Sequence, residues 1–315
     1  MNDAKLMNYV SYPKEQWRHI GQETPVQMPS AIDAAFLTRI KAFNDQISLG
    51  DVQDVYLPLV RYVRFLYEEF RTHRRNEAMF LHENSNDMPF VIGIAGSVAV
   101  GKTTTARLLT YLLQDLFGEQ EVALMTTDGF LKTNAQLMAE GMMERKGFPE
   151  SYDMPKLLAF MDEVKSGTDT LRSPKYSHDI SDVMQDEFDE FSKPSILIVE
   201  GINTLQSSVG SAVYLSDFFD FSIYIDADTD LIAHWYLDRF EALLDQTEVV
   251  NDPENYFFEL AQQPRKQALA YAQSVWETVN LPNLTQYILP TRERADLILR
   301  KSIGHGIDQI WLRKH

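Results

Sequence analysis

The chain has 315 residues, 44% of them hydrophobic, no cysteine, and 46 acidic against 29 basic side chains, a formal net charge of −17. That charge opposes non-specific binding to nucleic acid or an anionic membrane, so an anionic ligand has to be held by local basic groups. Without cysteine there is no disulfide or thiolate chemistry, which agrees with a reducing compartment. The first residues lack the apolar core of a signal peptide, and no apolar run reaches the ~18–20 residues of a membrane span. The expectation is a cytoplasmic enzyme without a nucleic-acid or membrane partner.

In chain order, residues 1–88 read as a helical N-terminal extension packed on the core. Leucine and isoleucine recur at helical spacing over residues 30–49, with Ser30 as a candidate N-cap, and residues 52–80 continue in the same style. Residues 82–88 are polar and read as a linker. From residue 89 to 315 strands and helices alternate, and this part is expected to be one structural unit. Apolar, β-branched runs mark strands at 90–95, 121–126, 195–199, 221–226 and 297–299. Helical patterns occupy residues 104–114, 155–165, 230–244 and 262–279. Residues 182–192 are acidic and read as a surface loop. The alternation predicts an α/β fold with a mostly parallel sheet flanked by helices.

Residues 96–103, Gly-Ser-Val-Ala-Val-Gly-Lys-Thr, complete the pattern G-x-x-x-x-G-K-[ST] between an apolar strand and a helix, which is the context of a phosphate loop. Gly96 and Gly101 permit backbone angles that a side chain would block. The loop then turns its N–H groups inward, and the helix adds its positive dipole end. Lys102 reaches the β- and γ-phosphates, and the Thr103 hydroxyl binds Mg²⁺. The chain is therefore expected to bind a nucleoside triphosphate.

Ligands of open α/β sheets lie at the carboxyl ends of the strands. Asp128, Glu200 and Asp226 each end a predicted strand. Asp128 falls beside the phosphate loop, and a carboxylate near the nucleophile suits an alcohol kinase. Glu200 is a candidate metal ligand, whereas Asp226 reads more simply as the start of the helix that follows.

Further runs narrow the family. They are Thr126-Thr-Asp-Gly-Phe130, Arg145-Lys-Gly-Phe-Pro-Glu-Ser-Tyr-Asp153, Pro174-Lys-Tyr-Ser-His178, Ile198-Val-Glu-Gly-Ile-Asn203, Trp235-Tyr-Leu-Asp-Arg-Phe240 and Ile288-Leu-Pro-Thr-Arg-Glu-Arg294. With the phosphate loop they resemble bacterial type I pantothenate kinase, over about residues 17–314. The resemblance implies the P-loop kinase fold, a homodimer, and ATP- and Mg²⁺-dependent phosphorylation of pantothenate, the first step toward coenzyme A, with coenzyme A as inhibitor. Carried onto matching positions, it implies that Gly96, Ser97, Val98, Ala99, Val100, Gly101, Lys102 and Thr103 hold the phosphates. It makes Asp128 the base on the pantothenate hydroxyl and Arg239 the cation on the transferring phosphoryl group. Tyr176, His178, Tyr236, Phe240, Tyr256, Phe257 and Asn280 would line the pantothenate site, with Tyr236 and Asn280 toward its carboxylate. Asn44 and His305 match the adenine side, and Arg107 and His178 the inhibitor contacts.

Plainer readings stand beside these. Tyr236 and Phe240, four apart on one helix, suit an ordinary core, and a lone His178 suits a structural role. Arg292 and Arg294 read as salt-bridge formers rather than substrate contacts. One position departs from the family: Leu243 stands where relatives carry an aromatic residue in the coenzyme A site, before a loop at 245–251 that reads about two residues longer. Leucine offers no π face. The alternatives are another small-metabolite kinase of the uridine kinase or phosphoribulokinase type, or a nucleotide switch. The first lacks the 146–153 and 288–294 runs. The second expects an Asn-Lys-x-Asp motif, which the chain does not contain.

Overall fold

The computed structural model describes residues 6–42, 45–83, 88–206 and 212–314. Nine strands are described: β1 (Tyr9–Pro13), β2 (Phe90–Gly96), β3 (Val122–Thr126), β4 (Thr170–Ser177), β5 (Asp182–Ser192), β6 (Ile196–Glu200), β7 (Phe221–Asp226), β8 (Leu297–Lys301) and β9 (Ile307–Arg313). Seven form one sheet in the order β1-β9-β8-β7-β2-β6-β3. Its pairs β3/β6, β6/β2, β2/β7 and β7/β8 are parallel, while β9 runs antiparallel to both β8 and β1.

Every residue of β2, β6 and β7 is buried, as expected where helices cover both faces of a parallel sheet. The central place of β2 puts the loop that follows it in the middle of the sheet's carboxyl edge. Helix Lys102–Phe117 leaves that loop and buries Ala106, Leu108, Leu109, Leu112 and Leu113.

The N-terminal region is helical, yet it also supplies a strand. β1 pairs with β9, Tyr9 opposite Arg313, so the lead-in closes one edge of the sheet. The helix expected over 30–49 is confined to Ala34–Ile40, and Asp33 rather than Ser30 caps it, accepting the Phe36 N–H at 2.6 Å. An aspartate with extended backbone satisfies an orphan donor at this point. A π-helical turn, Val52–Tyr56, leads into the 25-residue helix Leu57–Leu81. That helix packs on the sheet through aromatic rings, with Tyr67 6.2 Å from Phe90 and Tyr62 5.8 Å from Phe221. Residues 84–87 of the expected linker lie outside the described residues.

The acidic stretch expected to be a loop is β5. It forms a two-stranded antiparallel ribbon with β4. Arg172 lies opposite Glu190 and pairs with it at 3.0 Å, while Lys175 meets Glu187 at 3.5 Å. The cations that neutralise the acidic strand come from its partner, and such cross-strand pairs stabilise the pairing. The expected loop at 245–251 is also ordered: helix Thr229–Val250 continues through it and ends on Asn251 in the left-handed conformation. Asp226 does not begin this helix, because Asp228 occupies the cap position. Among the described residues, no helix is long and apolar enough to cross a membrane.

A buried ion pair ties the lead-in to the C-terminal strands. Lys301 Nζ lies 2.8 Å from Asp45 Oδ1, with the two side chains only 4% and 5% exposed. Burial alone would raise the Asp45 pKa, but the Lys301 charge and hydrogen bonds from His305 and Lys301 outweigh it and hold the carboxyl at about 2. An unfolded aspartate titrates at roughly 4. The pair's contribution is therefore complete at neutral pH and lost as the pH falls through the folded value. Replacing Lys301 by Met should cost about 3–5 kcal/mol at pH 7, because an uncompensated carboxylate remains buried. Asp45→Asn in the same chain should recover most of that loss. Denaturant unfolding of the single and double variants measures both effects.

Candidate active site

The phosphate loop follows β2 and closes on the N-terminus of helix Lys102–Phe117. Gly101 has φ 95, and a Cβ there would stand 2.3 Å from Lys301 Nζ and 2.5 Å from Asp45 Oδ2. Glycine is required both by the backbone angle and by the ion pair beneath the loop. Lys102 is buried and donates from Nζ to the Ser97 carbonyl at 2.9 Å. Burial lowers its pKa, Glu200 and Asp128 pull it back up, and Arg239 pushes it down. The buried Ser97 hydroxyl has no hydrogen-bond partner among the described residues. An ammonium, an unpartnered hydroxyl and a helix N-terminus around one glycine-rich turn fit phosphate oxygens.

Two carboxylates stand at neighbouring strand ends. Glu200 ends β6 and accepts the Thr103 hydroxyl at 3.0 Å. Burial raises its pKa, against the opposing charge of Lys102. Among the described residues no three His, Cys, Asp or Glu side chains gather as a metal cage. Thr103 and Glu200 nonetheless fit a Mg²⁺ that takes its other ligands from phosphate and water. Asp128 lies in the 3-10 turn Thr127–Phe130 after β3, its N–H bonded to the Thr126 hydroxyl at 3.3 Å. Thr127 anchors the turn by donating to Asn203 Oδ1 at 2.6 Å. A Cβ on Gly129 would come 1.8 Å from the Pro174 carbonyl. Only a residue without a side chain lets the β4–β5 ribbon sit against this turn.

A cavity of about 930 Å³ opens at this edge of the sheet. It brings together Val98, Lys102, Thr103, Asp128, Tyr176, His178, Glu200, Tyr236, Arg239, Phe240, Tyr256, Phe257 and Asn280 from separate parts of the chain. Leu243 lies on the same wall. Helix Thr229–Val250 carries Tyr236, Arg239, Phe240 and Leu243, and the ribbon brings Tyr176. The segment after β4 is joined to the far wall where Tyr256 N donates to the Asp179 carbonyl at 2.6 Å. Asn280 hydrogen-bonds the Tyr236 hydroxyl, whose pKa burial pushes up to about 12. Phe240 meets Phe257 edge-on at 5.5 Å. The pair Tyr236 and Phe240 therefore faces the cavity as well as packing. His178 is solvent-exposed at the cavity mouth. Its pKa is lowered by the protein around it, raised by Asp128, and lowered by Arg239 and Arg107. Burial lowers the Arg239 pKa, while Asp128 and Glu200 raise it.

Other candidates lie elsewhere. His305 is buried on the far side of the phosphate loop, stacked on Trp235 at 4.2 Å, with Nδ1 3.0 Å from Asp45. Asn44 falls outside the described residues. Arg107 is exposed on the phosphate-loop helix, and Nη1 donates to the Ile40 carbonyl at 3.4 Å. Arg292 and Arg300 each reach Asp226 at 3.2 Å, and Arg294 donates to the Ser216 hydroxyl at 3.0 Å. The contacts of Arg292 and Arg294 tie the turn before β8 to the end of β7 and to the turn at 215–218, and neither residue lines the cavity. Two further cavity residues, Lys146 and Tyr152, belong to the run at 146–153, which in the sequence marks kinship alone. Lys146 donates to Asn134 Oδ1 at 2.8 Å and to the Ser181 carbonyl, and lies over the Tyr176 ring. Tyr152 is buried beside Asp128. Their signal was the unusual run at 146–153, whose place in space no spacing rule reveals.

Residues 91–242 match the model of the phosphoribulokinase/uridine kinase family. The solved structure of the YGR205w protein is similar in fold, with a TM-score of 0.53 at 16% identity over 81% of this chain and 99% of that one. The chain is 52% identical over 312 residues to the pantothenate kinase of Enterococcus faecalis, covering 98% of this chain and 99% of the relative. It is 50% identical over 309 residues to that of Lactiplantibacillus plantarum, with 98% and 99% covered. Identity at that level along nearly the whole length of both proteins places the chain in the pantothenate kinase family.

Proposed function

We propose that this protein transfers the γ-phosphoryl group of ATP to the primary hydroxyl of pantothenate, forming 4'-phosphopantothenate, the first step toward coenzyme A. The observation that carries this reading is the single cavity that sets a buried phosphate-loop lysine, Asp128 and Arg239 against a wall of aromatic side chains and Asn280. The names of the relatives support the substrate. Pantothenate combines a gem-dimethyl group with hydroxyl, amide and carboxylate, and a mainly apolar pocket with a few polar anchors suits it.

The loop amides and Lys102 hold the β- and γ-phosphates. Thr103 and Glu200 would hold Mg²⁺, which when bound neutralises charge between those phosphates. Asp128 orients the attacking hydroxyl and accepts its proton as the new P–O bond forms. Because the transition state is loose, that proton moves late and positioning is the larger part of the work. Arg239 places its guanidinium where charge gathers on the equatorial oxygens. A cation aimed there favours the transition state over the ground state. Tyr236 and Asn280, already joined to each other, serve the substrate carboxylate. Asn44 and His305 serve the adenine side. The reading includes a homodimer working in the cytoplasm and inhibition by coenzyme A, with Arg107 and His178 as contacts.

The deciding experiment is an activity screen of pantothenate, uridine and ribulose 5-phosphate with ATP and Mg²⁺. Turnover is expected with pantothenate alone, and a preference for either other acceptor would overturn the assignment. Asp128→Asn keeps the shape but removes the proton acceptor, and kcat should fall by about 10²–10⁴ with little change in ATP affinity. Isothermal titration and steady-state rates separate the two effects.

Arg239→Ala should lose roughly 10³–10⁵ in rate, mainly in kcat, as for arginines that stabilise a transferring phosphoryl group. Arg239→Lys should fall between that variant and wild type, since the charge remains without the planar fork. A change confined to the KM for pantothenate would make Arg239 a ground-state binder.

Leu243 lies in unbroken helix four residues past Arg239 and faces the cavity. A phenylalanine there would offer coenzyme A a stacking partner worth about 0.5–1.5 kcal/mol. Leu243→Phe should therefore tighten inhibition roughly twofold to tenfold. A coenzyme A titration at several ATP concentrations measures this, and competition with ATP is the expected pattern.

A further inference from the structure

The run at 146–153 is built into the turn that carries Asp128. Lys132 N donates to the Ser151 carbonyl and Asp153 N to the Phe130 carbonyl, each at 2.8 Å, and Leu131 and Tyr152 form an antiparallel bridge. The run is itself anchored. The fully buried Ser151 hydroxyl donates to the Phe148 carbonyl at 2.7 Å and accepts the Gly147 N–H at 2.9 Å, while Asn283 Nδ2 donates to the Gly147 carbonyl at 2.9 Å. Little freedom remains in the backbone at position 152.

Tyr152 is only 4% exposed, and it lines the cavity beside Asp128. Its hydroxyl and the Asp128 carboxylate are neighbours in that cavity and interact electrostatically. Burial, and then the negative charge of Asp128, push its pKa well above the ordinary value, so the phenol remains a donor. A buried tyrosine hydroxyl ordinarily finds a partner, and a carboxylate is a strong one.

Asp128 needs such a restraint. The charges of Lys102 from the phosphate loop, Lys146 from the run, Glu200 from β6 and Arg239 from helix Thr229–Val250 all interact with it, as do Tyr176 and His178 from the ribbon. An unrestrained carboxylate would turn toward whichever cation was nearest, and its second torsion is soft. We propose that Tyr152 is a positioning residue: its hydroxyl donates to one Asp128 oxygen and so aims the other at the acceptor hydroxyl. This rests on the reading of Asp128 as the base.

Tyr152→Phe removes only the donor. kcat should fall about tenfold to a hundredfold, the scale of a misplaced reacting group, with the KM for ATP unmoved. In an Asp128→Asn background the same change should add no further loss, because residues that act as one unit are not additive. Should the Phe variant fail to fold in a thermal melt, site-specific 4-fluorophenylalanine and 4-aminophenylalanine at position 152 replace it. Both fill the ring volume, but only the amine donates, and only the amine should keep kcat near wild type. A kcat within twofold of wild type in the donor-free variants would overturn the proposal, as would a full multiplicative loss on top of Asp128→Asn. If Asp128→Asn is itself fully active, the base assignment falls and the proposal with it. An impaired Asp128→Asn beside a normal Tyr152→Phe defeats the proposal alone.

Discussion

The site depends on keeping the ammonium of Lys102 charged while it is out of water. Desolvation of an isolated ion costs far more than any single contact returns, so the surroundings are built to offset it. The Ser97 carbonyl accepts a hydrogen bond from it, and Glu200 and Asp128 lie close enough to raise its pKa against the effect of burial. Glu200 faces its own desolvation and is in turn balanced by Lys102, and both carboxylates act on Arg239. None of the four tolerates the loss of the others cheaply. Their shared location at the carboxyl ends of β3 and β6 and along two helices is what the sheet order makes possible.

The same logic operates one layer below. Asp45 comes from the lead-in and Lys301 from the end of β8, and they meet under Gly101, at the point where the phosphate loop becomes helix. A side chain at 101 would collide with both. The loop's shape is thus supported by residues more than 250 positions apart, with His305 and Trp235 stacked alongside. The lead-in is part of the nucleotide end of the molecule: Tyr56 also hydrogen-bonds Thr105 of the phosphate-loop helix at 3.0 Å.

On the opposite side the cavity is assembled from pieces that are individually unremarkable. The β4–β5 ribbon can approach the Asp128 turn only because Gly129 has no side chain. The helix that carries Arg239 runs on to Val250, which places Leu243 on the cavity wall. The ribbon, that helix and the run at 146–153 set what the phosphate loop is pointed at. The loop itself is common to many kinases that act on other acceptors.

The alternation of buried apolar runs with helical patterns was enough to read β2, β3, β6, β7 and β8 and the parallel α/β plan, because a strand buried on both faces needs no partner to be recognised. The phosphate loop was legible for a similar reason, its chemistry being local to eight consecutive residues. Asp128 and Glu200 followed from the rule that ligands meet strand ends. What tertiary structure alone decided were features whose stabilising partner is distant. β1 exists only against β9, and β5 reads as an acidic loop until Arg172 and Lys175 of β4 lie beside it. Asp45 with Lys301 and Asp226 with Arg292 are pairings across the fold that no periodicity encodes. Tyr152 comes beside Asp128 for the same reason: proximity across a cavity is a relation in space, and chain order carries it only where the residues are neighbours in sequence.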